Sequence, residues 1–384
     1  MKQRKDLSWP MVLACAGTFF GVMVNAAFIS GNLAYSYFAK FGWVGVFLPL
    51  LPMALLTYTM WQAMNAGANR GCRSARQWAD WISHPFDKIY GPIFDVLTLA
   101  GFCMSAASGI AAMGALFEEW FGFNYTAVCI VYAIAIILIA LTNAGIVSRF
   151  GGIVCILLLA SMLFVYPQVI AHNSDKLVTY IGQRVMFEDY TFGDALWRSL
   201  VWFGYQCMSI GSMMALRRDG GYSTRRDAKR IMIIGGIITT IFLILTVLVV
   251  LGGIPESNSD VPILTAIEQI NNPTLLTMYR VCMFLALVST NGPGLYAMGG
   301  RWAMSVKYPK NDKLRMAVCC IVILLISLFI SRFGLTAIIS KGWAYVGAIG
   351  IFVYGIPIFT VGVWKTRRDN RIPESELKDE FNLE

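Results

Sequence analysis

The sequence predicts an all-helical integral membrane protein with about ten transmembrane helices, arranged as two halves of five. Its composition, its recurring apolar stretches and an interruption in the first span of each half lead to this prediction. The chain has 384 residues, of which 57% are hydrophobic and 14% are charged. Soluble proteins carry roughly 25% charged residues. The chain is therefore too poor in charge to cover a soluble globule of its size.

Stretches long enough to cross the hydrocarbon core of a bilayer recur along the chain. We number them spans one to ten, and we place them at about 9–38, 43–63, 91–117, 125–142, 150–171, 196–216, 231–253, 275–300, 314–331 and 343–364. All of 1–384 then forms a single transmembrane domain. Its repeats are expected at about 9–171 and 196–364, and the polar tail at 366–384 is expected to be disordered and cytoplasmic.

The net charge of +9 could indicate a nucleic-acid partner, but its distribution argues against one. The basic residues cluster before span one, after span two, between spans six and seven, after span eight and after span ten. Intervening loops carry few of them. Basic residues favour the cytoplasmic side of a membrane protein, so both termini are predicted to be cytoplasmic. The lipid bilayer is the expected partner, and the sequence does not set the oligomeric state.

Spans one and six are interrupted near their middles by small and polar residues. Span one is about thirty residues long, whereas about twenty suffice to cross a bilayer. Small residues also let transmembrane helices pack closely, which is the alternative interpretation. Backbone that leaves its helix inside a bilayer must be buried or line a cavity, and paired interruptions point to a solute site. The predicted solute-binding residues are Ala27, Ile29, Ser30, Gly31, Asn32, Ser209, Gly211 and Ser212.

Span eight contains a proline with hydroxyl side chains just before it. Pro293 cannot donate a backbone hydrogen bond, so the helix is expected to open there. The carbonyl of Ala286 and the hydroxyls of Ser289 and Thr290 lie within about one helical turn, and such oxygens suit a small hard cation such as sodium. Alternatively, the hydroxyls satisfy backbone groups freed by the proline.

Charged residues are missing from the predicted centres of the spans. A central carboxylate often marks a proton relay, so this pattern argues against a carboxylate-based proton pump. The chain has two histidines and nine scattered cysteines without a C-x-x-C motif, and neither a disulfide framework nor a metal cluster is indicated. With no nucleophile–base pair at a predicted cavity, an enzyme is not expected, and no cofactor beyond a sodium ion is predicted.

The interrupted segment of span one also carries a family resemblance. Its sequence is Asn25-Ala26-Ala27-Phe28-Ile29-Ser30-Gly31-Asn32-Leu33. This stretch resembles Gly-Ala-Gly-Phe-Ala-Ser-Gly-Gln-Glu in the first helix of the bacterial YkvI-type membrane proteins, and the glycine-rich segment 333–350 is similar to theirs. In layout the whole chain resembles the LeuT-fold transporters of the amino acid–polyamine–cation superfamily. The resemblance implies the bacterial cytoplasmic membrane, a five-plus-five inverted repeat and broken helices one and six.

The resemblance also implies a sodium site between spans one and eight. Its ligands would be the carbonyls of Asn25, Phe28 and Ala286 and the hydroxyls of Ser289 and Thr290. A second sodium site of some relatives is not expected, because Cys207 stands where a threonine hydroxyl would be needed. Leu33 replaces the glutamate of the YkvI-type pattern, so any ionic role of that acid does not carry over.

These observations lead to one expected function and two alternatives. We expect a secondary active transporter that moves a small organic solute by alternating access and is coupled to sodium. The family resemblance implies an amino acid as the solute. One alternative is a membrane receptor or sensor that binds without moving solute. The other is a proton-coupled or exchange carrier. Neither the substrate nor the direction and stoichiometry of transport can be read from the sequence.

Overall fold

The computed structural model describes residues 6–187, 190–218, 221–256, 258–373 and 376, and for 143–152, 218 and 305 it describes the backbone only. Within these ranges the regular secondary structure is entirely helical. Eight of the described helices are long and apolar enough to cross a membrane: Trp43–Arg70, Asp87–Phe121, Tyr125–Thr142, Ile153–His172, Arg225–Gly252, Pro273–Met304, Asp312–Ser331 and Leu335–Asn370. They correspond to every predicted span except one and six, which confirms the all-helical membrane fold.

Spans one and six are built from shorter pieces. Span one consists of the helices Trp9–Met23, Ala26–Ile29 and Asn32–Tyr37, and a 3₁₀ turn Ala39–Phe41 follows it. Span six consists of the helices Phe192–Gln206 and Ile210–Arg218, joined by the 3₁₀ turn Cys207–Ser209. Span one is therefore broken as predicted, whereas span six changes only to one 3₁₀ turn, and Gln206 and Ile210 on either side of it keep right-handed helical φ and ψ. This turn begins two residues earlier than the expected break, and Gly211 and Ser212 already lie in the second helix.

Span ten is a long helix with three π-helical turns, Ile338–Gly342, Ile351–Gly355 and Ile358–Gly362. It continues to Asn370, so the prediction that a disordered tail begins at 366 is wrong for the first residues of that tail. The physical reason is that Asp369 is fully buried and forms an ion pair with Arg70. The remainder of the predicted tail, at 374–375 and 377–384, lies outside the described residues.

Both described ends of the chain lie on one face of the bundle, which we call the terminal face. The backbone N–H of Leu7 donates to the carboxylate of Asp227 at the start of span seven. Two residues away, Arg225 donates to the carbonyl oxygens of Asn370 and Ile372. The other end of the bundle, the opposite face, carries the connection between spans seven and eight.

Three short helices lie in the longer connections. They are Ala75–Ser83 after span two, Ser174–Gly182 after span five, and Pro262–Glu268 after span seven, which we call the loop helix. In the first of these, Trp78 and Ile82 are buried, because this helix packs on spans three and six inside the protein. The loop helix packs on spans seven and eight and on the last helix of span one, so it covers the interrupted segment from the opposite face.

Span six packs against span ten through glycines. A Cβ atom built on Gly350 would overlap the carbonyl oxygen of Gly204, and one on Gly347 would overlap the carbonyl of Val201. Only glycine lets the two backbones approach this closely. The first helix of span six and the middle of span ten therefore form one tightly packed pair beside the broken segments.

Candidate functional site

Span one leaves the helical conformation at two places, and only the second was predicted. The first is at Val24 and Asn25, where Asn25 is extended with φ −99° and ψ 179°. The Asn25 side chain accepts a 3.1 Å hydrogen bond from the backbone N–H of Phe28 and so caps the next short helix. The second is at Ser30 and Gly31, where Gly31 has φ +81°, a conformation that glycine adopts without strain.

The carbonyl oxygens at the second interruption are paired with other parts of the protein. The hydroxyl of Tyr279, on span eight, donates to the carbonyl of Ile29 at 2.9 Å. The backbone N–H of Ile263, on the loop helix, donates to the carbonyl of Ser30 at 3.1 Å. A buried backbone carbonyl without a donor is costly. The break is therefore sustained by two elements that lie more than two hundred residues away in sequence.

The tyrosine on span eight belongs to a buried chain of hydroxyl groups. The hydroxyls of Tyr166 and Tyr279 lie 3.4 Å apart, and the Thr246 hydroxyl, which donates to the carbonyl of Phe242 at 2.7 Å, lies 3.5 Å from that of Tyr166. All three side chains are fully buried. Because a carbonyl can only accept, the Tyr279 proton points at Ile29, so Tyr279 can act only as the acceptor in its contact with Tyr166. Spans five, seven and eight thus converge on the interrupted segment of span one.

The amide of Asn32 is fully engaged at the opposite face. Its Nδ2 donates to the Thr336 hydroxyl at 2.7 Å and to the carbonyls of Ser259 and Asp260 at 3.4 Å. Its Oδ1 accepts from Ser36 at 3.0 Å. The Asp260 carboxylate in turn accepts from the backbone N–H of Thr336 at 3.0 Å and from its hydroxyl at 2.5 Å. Asn32 therefore joins span one to the start of span ten and to the loop before span eight.

A layer of aromatic side chains near this network was not singled out from the sequence. The rings of Tyr37 and Tyr205 lie 5.6 Å apart, and those of Tyr205 and Trp343 lie 4.6 Å apart. The Trp343 indole N–H donates to the Ser108 hydroxyl at 3.1 Å, and the Tyr37 hydroxyl donates to the carbonyl of Ile339. These groups connect spans one, three, six and ten. Aromatic residues are common in the chain, and their sequence positions do not reveal which of them meet.

The predicted solute-binding residues divide into two groups in the structure. Those on span one are buried together: Ala27, Ile29, Ser30, Gly31 and Asn32. On span six, Ser209 and Gly211 are half-buried and Ser212 is exposed. Gly211 faces the helix Ala75–Ser83, because a Cβ atom there would contact the Ala75 side chain at 3.3 Å. Among the described residues, no hydrogen bond links these three positions to span one.

The oxygens of the expected sodium site all take part in local hydrogen bonds. Ser289 and Thr290 donate to the carbonyl of Ala286 at 3.0 and 2.9 Å. The carbonyl of Asn25 accepts from the N–H groups of Phe28 and Ile29, and that of Phe28 accepts from Gly31. Both lone pairs of the Asn25 carbonyl are thus used by backbone N–H groups, and the Ala286 carbonyl accepts from two hydroxyls, whereas each donating hydroxyl keeps its own lone pairs. In the described residues, no group of three His, Cys, Asp or Glu side chains could hold a metal.

Comparison with known proteins identifies the fold. No family model matches the chain, and a search of curated proteins finds no match either. Among solved structures, the chain is similar to a manganese transporter of Eremococcus coleocola, with a TM-score of 0.64 and 13% identity, over 93% of this chain and 81% of that one. The chain has the LeuT fold. It also matches MhsT in complex with L-phenylalanine, with a TM-score of 0.62 and 13% identity, over 99% of this chain and 94% of that one.

A third LeuT-fold neighbour is a sodium-coupled sialic acid symporter, with a TM-score of 0.59 and 12% identity, over 92% of this chain and 78% of that one. These neighbours are transporters rather than enzymes. They differ in what they carry, and their identity to this chain is low. The similarity therefore gives the LeuT fold and a multi-pass membrane location, whereas the solute depends on the site of this chain.

Proposed function

We propose that this protein is a secondary active transporter that moves a small organic solute across the bacterial cytoplasmic membrane by alternating access. The observation that carries the proposal is the set of hydrogen bonds that cover the interrupted segment of span one. Its freed carbonyls and the Asn32 amide pair with the loop helix, the loop before it and the start of span ten. These partners belong to separate elements, so they can separate from span one and expose the segment at the opposite face.

The solute site of this proposal lies at the interruption of span one. Ala27, Ile29, Ser30, Gly31 and Asn32 supply it, and backbone groups freed from the helix act as its polar contacts. Ser209, Gly211 and Ser212 on span six are proposed to join the site in another conformation, since here Gly211 faces the helix Ala75–Ser83 and Ser212 is exposed.

Sodium is the proposed coupling ion. The carbonyls of Asn25, Phe28 and Ala286 and the hydroxyls of Ser289 and Thr290 are neutral oxygen ligands, and no carboxylate lies among them. Oxygen ligands suit hard cations. This proposal couples ion binding to the conformation of the interrupted segment.

The basic loops orient the protein in this proposal. Arginines and lysines are concentrated at the terminal face, and such residues favour the cytoplasm. Both termini are then cytoplasmic, and the opposite face with its loop helix is external. The segment at 25–33 supports a relationship to the YkvI-type membrane proteins in particular.

Uptake by purified protein in proteoliposomes tests the proposed function. A panel of radiolabelled amino acids and related small solutes is applied with sodium outside, with choline in place of sodium, and with a proton gradient. Accumulation that requires the sodium gradient is the expected result. Uptake that is equal in choline would favour a proton-coupled or exchange carrier. Specific binding without accumulation under any gradient would favour a receptor and contradict the proposal.

A further inference from the structure

A cavity of about 410 Å³ lies between the first helix of span six and the start of span ten, near the opposite face. Lys341 and Tyr345 contribute to its wall from span ten. Trp343, midway between them, is buried and donates its indole N–H to Ser108 on span three. Successive residues of a helix differ by about 100°, so Lys341 and Tyr345 lie on the side of span ten away from span three. The cavity is therefore on the other side of span ten from the aromatic layer.

The cavity opens toward the surface of the protein that lies in the membrane. Trp197 and Tyr345 line it, and they are 50% and 74% exposed. Further along span ten, Ile349, Phe352 and Ile356 continue an exposed apolar stripe at helical spacing. In a bilayer this stripe contacts acyl chains, whereas tryptophan and tyrosine favour the boundary between acyl chains and water. The cavity therefore lies where a lipid headgroup joins its acyl chains.

Charged groups of both signs line the same cavity: Arg198, Lys341 and Asp194. The Arg198 guanidinium donates to the carbonyl of Ser340 at 2.9 Å, which joins span six to span ten and fixes the charge at the wall. Among the described residues, Lys341 has no ion-pair partner. One carboxylate oxygen of Asp194 accepts from the N–H and hydroxyl of Thr191, and in the described part of the chain the other oxygen accepts no hydrogen bond.

We propose that this cavity binds the headgroup of a phospholipid that carries a primary amine, with the phosphate on Arg198 and Lys341 and the ammonium group on Asp194. Arginine and lysine are the usual donors to phosphate, and an ammonium group donates to a carboxylate. A headgroup with one phosphate and one amine matches both signs of charge in the cavity.

The apolar part of the cavity points to a lipid rather than to a soluble phosphate compound. Val201, Ala344 and Ala348 line it beyond the charged groups. The two alanines lead toward the exposed stripe of span ten, so an acyl chain can leave the cavity along this helix. A bound lipid would contact span six and span ten at once. This inference concerns a membrane-facing site and does not depend on whether the protein transports a solute.

Native mass spectrometry of the delipidated full chain in detergent tests the assignment through the apparent Kd of the first bound lipid. Three lipids with identical dioleoyl chains are titrated. Phosphatidylethanolamine has the phosphate and the primary amine, phosphatidylglycerol has no amine, and the quaternary amine of phosphatidylcholine cannot donate a hydrogen bond. O-phosphoethanolamine, the headgroup without acyl chains, is titrated in parallel.

The variants change one charge at a time. Lys341→Gln removes a cation from the cavity, and Lys341→Arg keeps it. Arg332→Gln is the matched control, because Arg332 is an exposed cation between spans nine and ten that does not line the cavity. Asp194→Asn removes the carboxylate charge and keeps an oxygen that can accept from Thr191.

We expect the wild type to bind phosphatidylethanolamine roughly ten-fold more tightly than the other two lipids, which corresponds to about 1.4 kcal/mol. Lys341→Gln should weaken this binding by a similar factor, whereas Lys341→Arg and Arg332→Gln should leave it near the wild-type value. Asp194→Asn should bind phosphatidylethanolamine and phosphatidylglycerol equally. O-phosphoethanolamine should bind far more weakly than the lipid.

Three results would overturn the assignment. They are equal wild-type affinity for phosphatidylethanolamine and phosphatidylglycerol, an equal effect of Lys341→Gln and Arg332→Gln, and binding of O-phosphoethanolamine as tight as that of the lipid, which would indicate a soluble ligand. If lipid-free Lys341→Gln melts below the wild type, the comparison of the lipids on the wild type and on Asp194→Asn decides. None of these measurements requires uptake, so failure of the proposed function leaves this test unaffected.

Discussion

The hydroxyl of Tyr279 donates a 2.9 Å hydrogen bond to the carbonyl oxygen of Ile29. The bond connects the second turn of span eight with the interrupted segment of span one, 250 residues earlier in the chain. Tyr279 also contacts the hydroxyl of Tyr166 on span five. A movement of span five or span eight would therefore alter the hydrogen bonds at the interruption. We regard this tyrosine as a residue that positions the proposed solute site.

Replacing Tyr279 with phenylalanine should loosen the interrupted segment of span one. The change leaves the buried Ile29 carbonyl without a donor, and such a loss costs about 1–3 kcal/mol. Hydrogen exchange of the amides in 26–33 should become faster, by roughly ten-fold for each 1.4 kcal/mol. Tyr166→Phe is the control, because it removes a neighbouring buried hydroxyl and keeps the bond to Ile29. Equal exchange in the two variants would show that the bond has no local role.

Thr336→Val should weaken the closure at the opposite face. The threonine hydroxyl accepts from Asn32 and donates to Asp260, so valine breaks both contacts at once. We expect a membrane-impermeant thiol reagent to label an Ile263→Cys variant several-fold faster when Thr336→Val is also present. Thr360→Val is a suitable control, since the Thr360 hydroxyl donates only within its own helix, to the carbonyl of Ile356. If Thr336→Val left the labelling rate unchanged, the contacts of Thr336 would not hold the opposite face closed, which would contradict the proposal.

Much of the fold could be predicted from the sequence, because the length of an apolar span can be read directly from consecutive residues. Eight spans follow from hydropathy alone, and the break at Ser30–Gly31 follows from small and polar residues inside span one. The extended conformation at Val24 and Asn25 was missed. Apolar residues flank this position, and the side-chain cap that stabilises it, Asn25 on Phe28, becomes visible only in three dimensions.

The candidate site was only partly predictable for a different reason. Asn32 was expected to meet a solute, whereas in this conformation its amide binds Thr336 and two loop carbonyls. Its partners, and those of Ile29 and Ser30, lie more than two hundred residues further along the chain. Such contacts have no periodic signature in a single sequence. Similarly, the polar residues from 366 onward suggested disorder, because nothing in the sequence indicates that Arg70 would meet Asp369.

The double variant Ser289→Ala/Thr290→Ala should lose the stabilising effect of sodium. It removes two of the five proposed oxygen ligands, so a bound cation would be undercoordinated. We expect the melting temperature of the variant to be the same in sodium and in choline, whereas that of the wild type should be higher in sodium. Ser327→Ala provides the control, because Ser327 is a buried serine that donates to its own helix in span nine. A wild-type sodium effect in the double variant would show that both hydroxyls only satisfy the backbone.

Asp369→Asn should destabilise the terminal face. The carboxylate is fully buried and pairs with Arg70 at 2.6 Å, and removal of one partner from a buried pair costs about 3–5 kcal/mol. A marked fall in the melting temperature is expected. Asp312→Asn is the matched control, because Asp312 pairs with Arg315 while 85% of its side chain is exposed, and its change should cost less than about 0.5 kcal/mol. Similar melting temperatures of the two variants would show that the ion pair between Arg70 and Asp369 does not stabilise this end of span ten.

Sodium-driven accumulation of a solute tests the central claim most directly. Proteoliposomes that contain the purified protein are given an inward sodium gradient and the panel of radiolabelled amino acids and related small solutes. The account predicts that at least one solute rises above its external concentration, that this requires the gradient, and that Ser289→Ala/Thr290→Ala abolishes it. Binding of a solute that never accumulates under sodium, proton or exchange gradients would contradict transport on this LeuT fold.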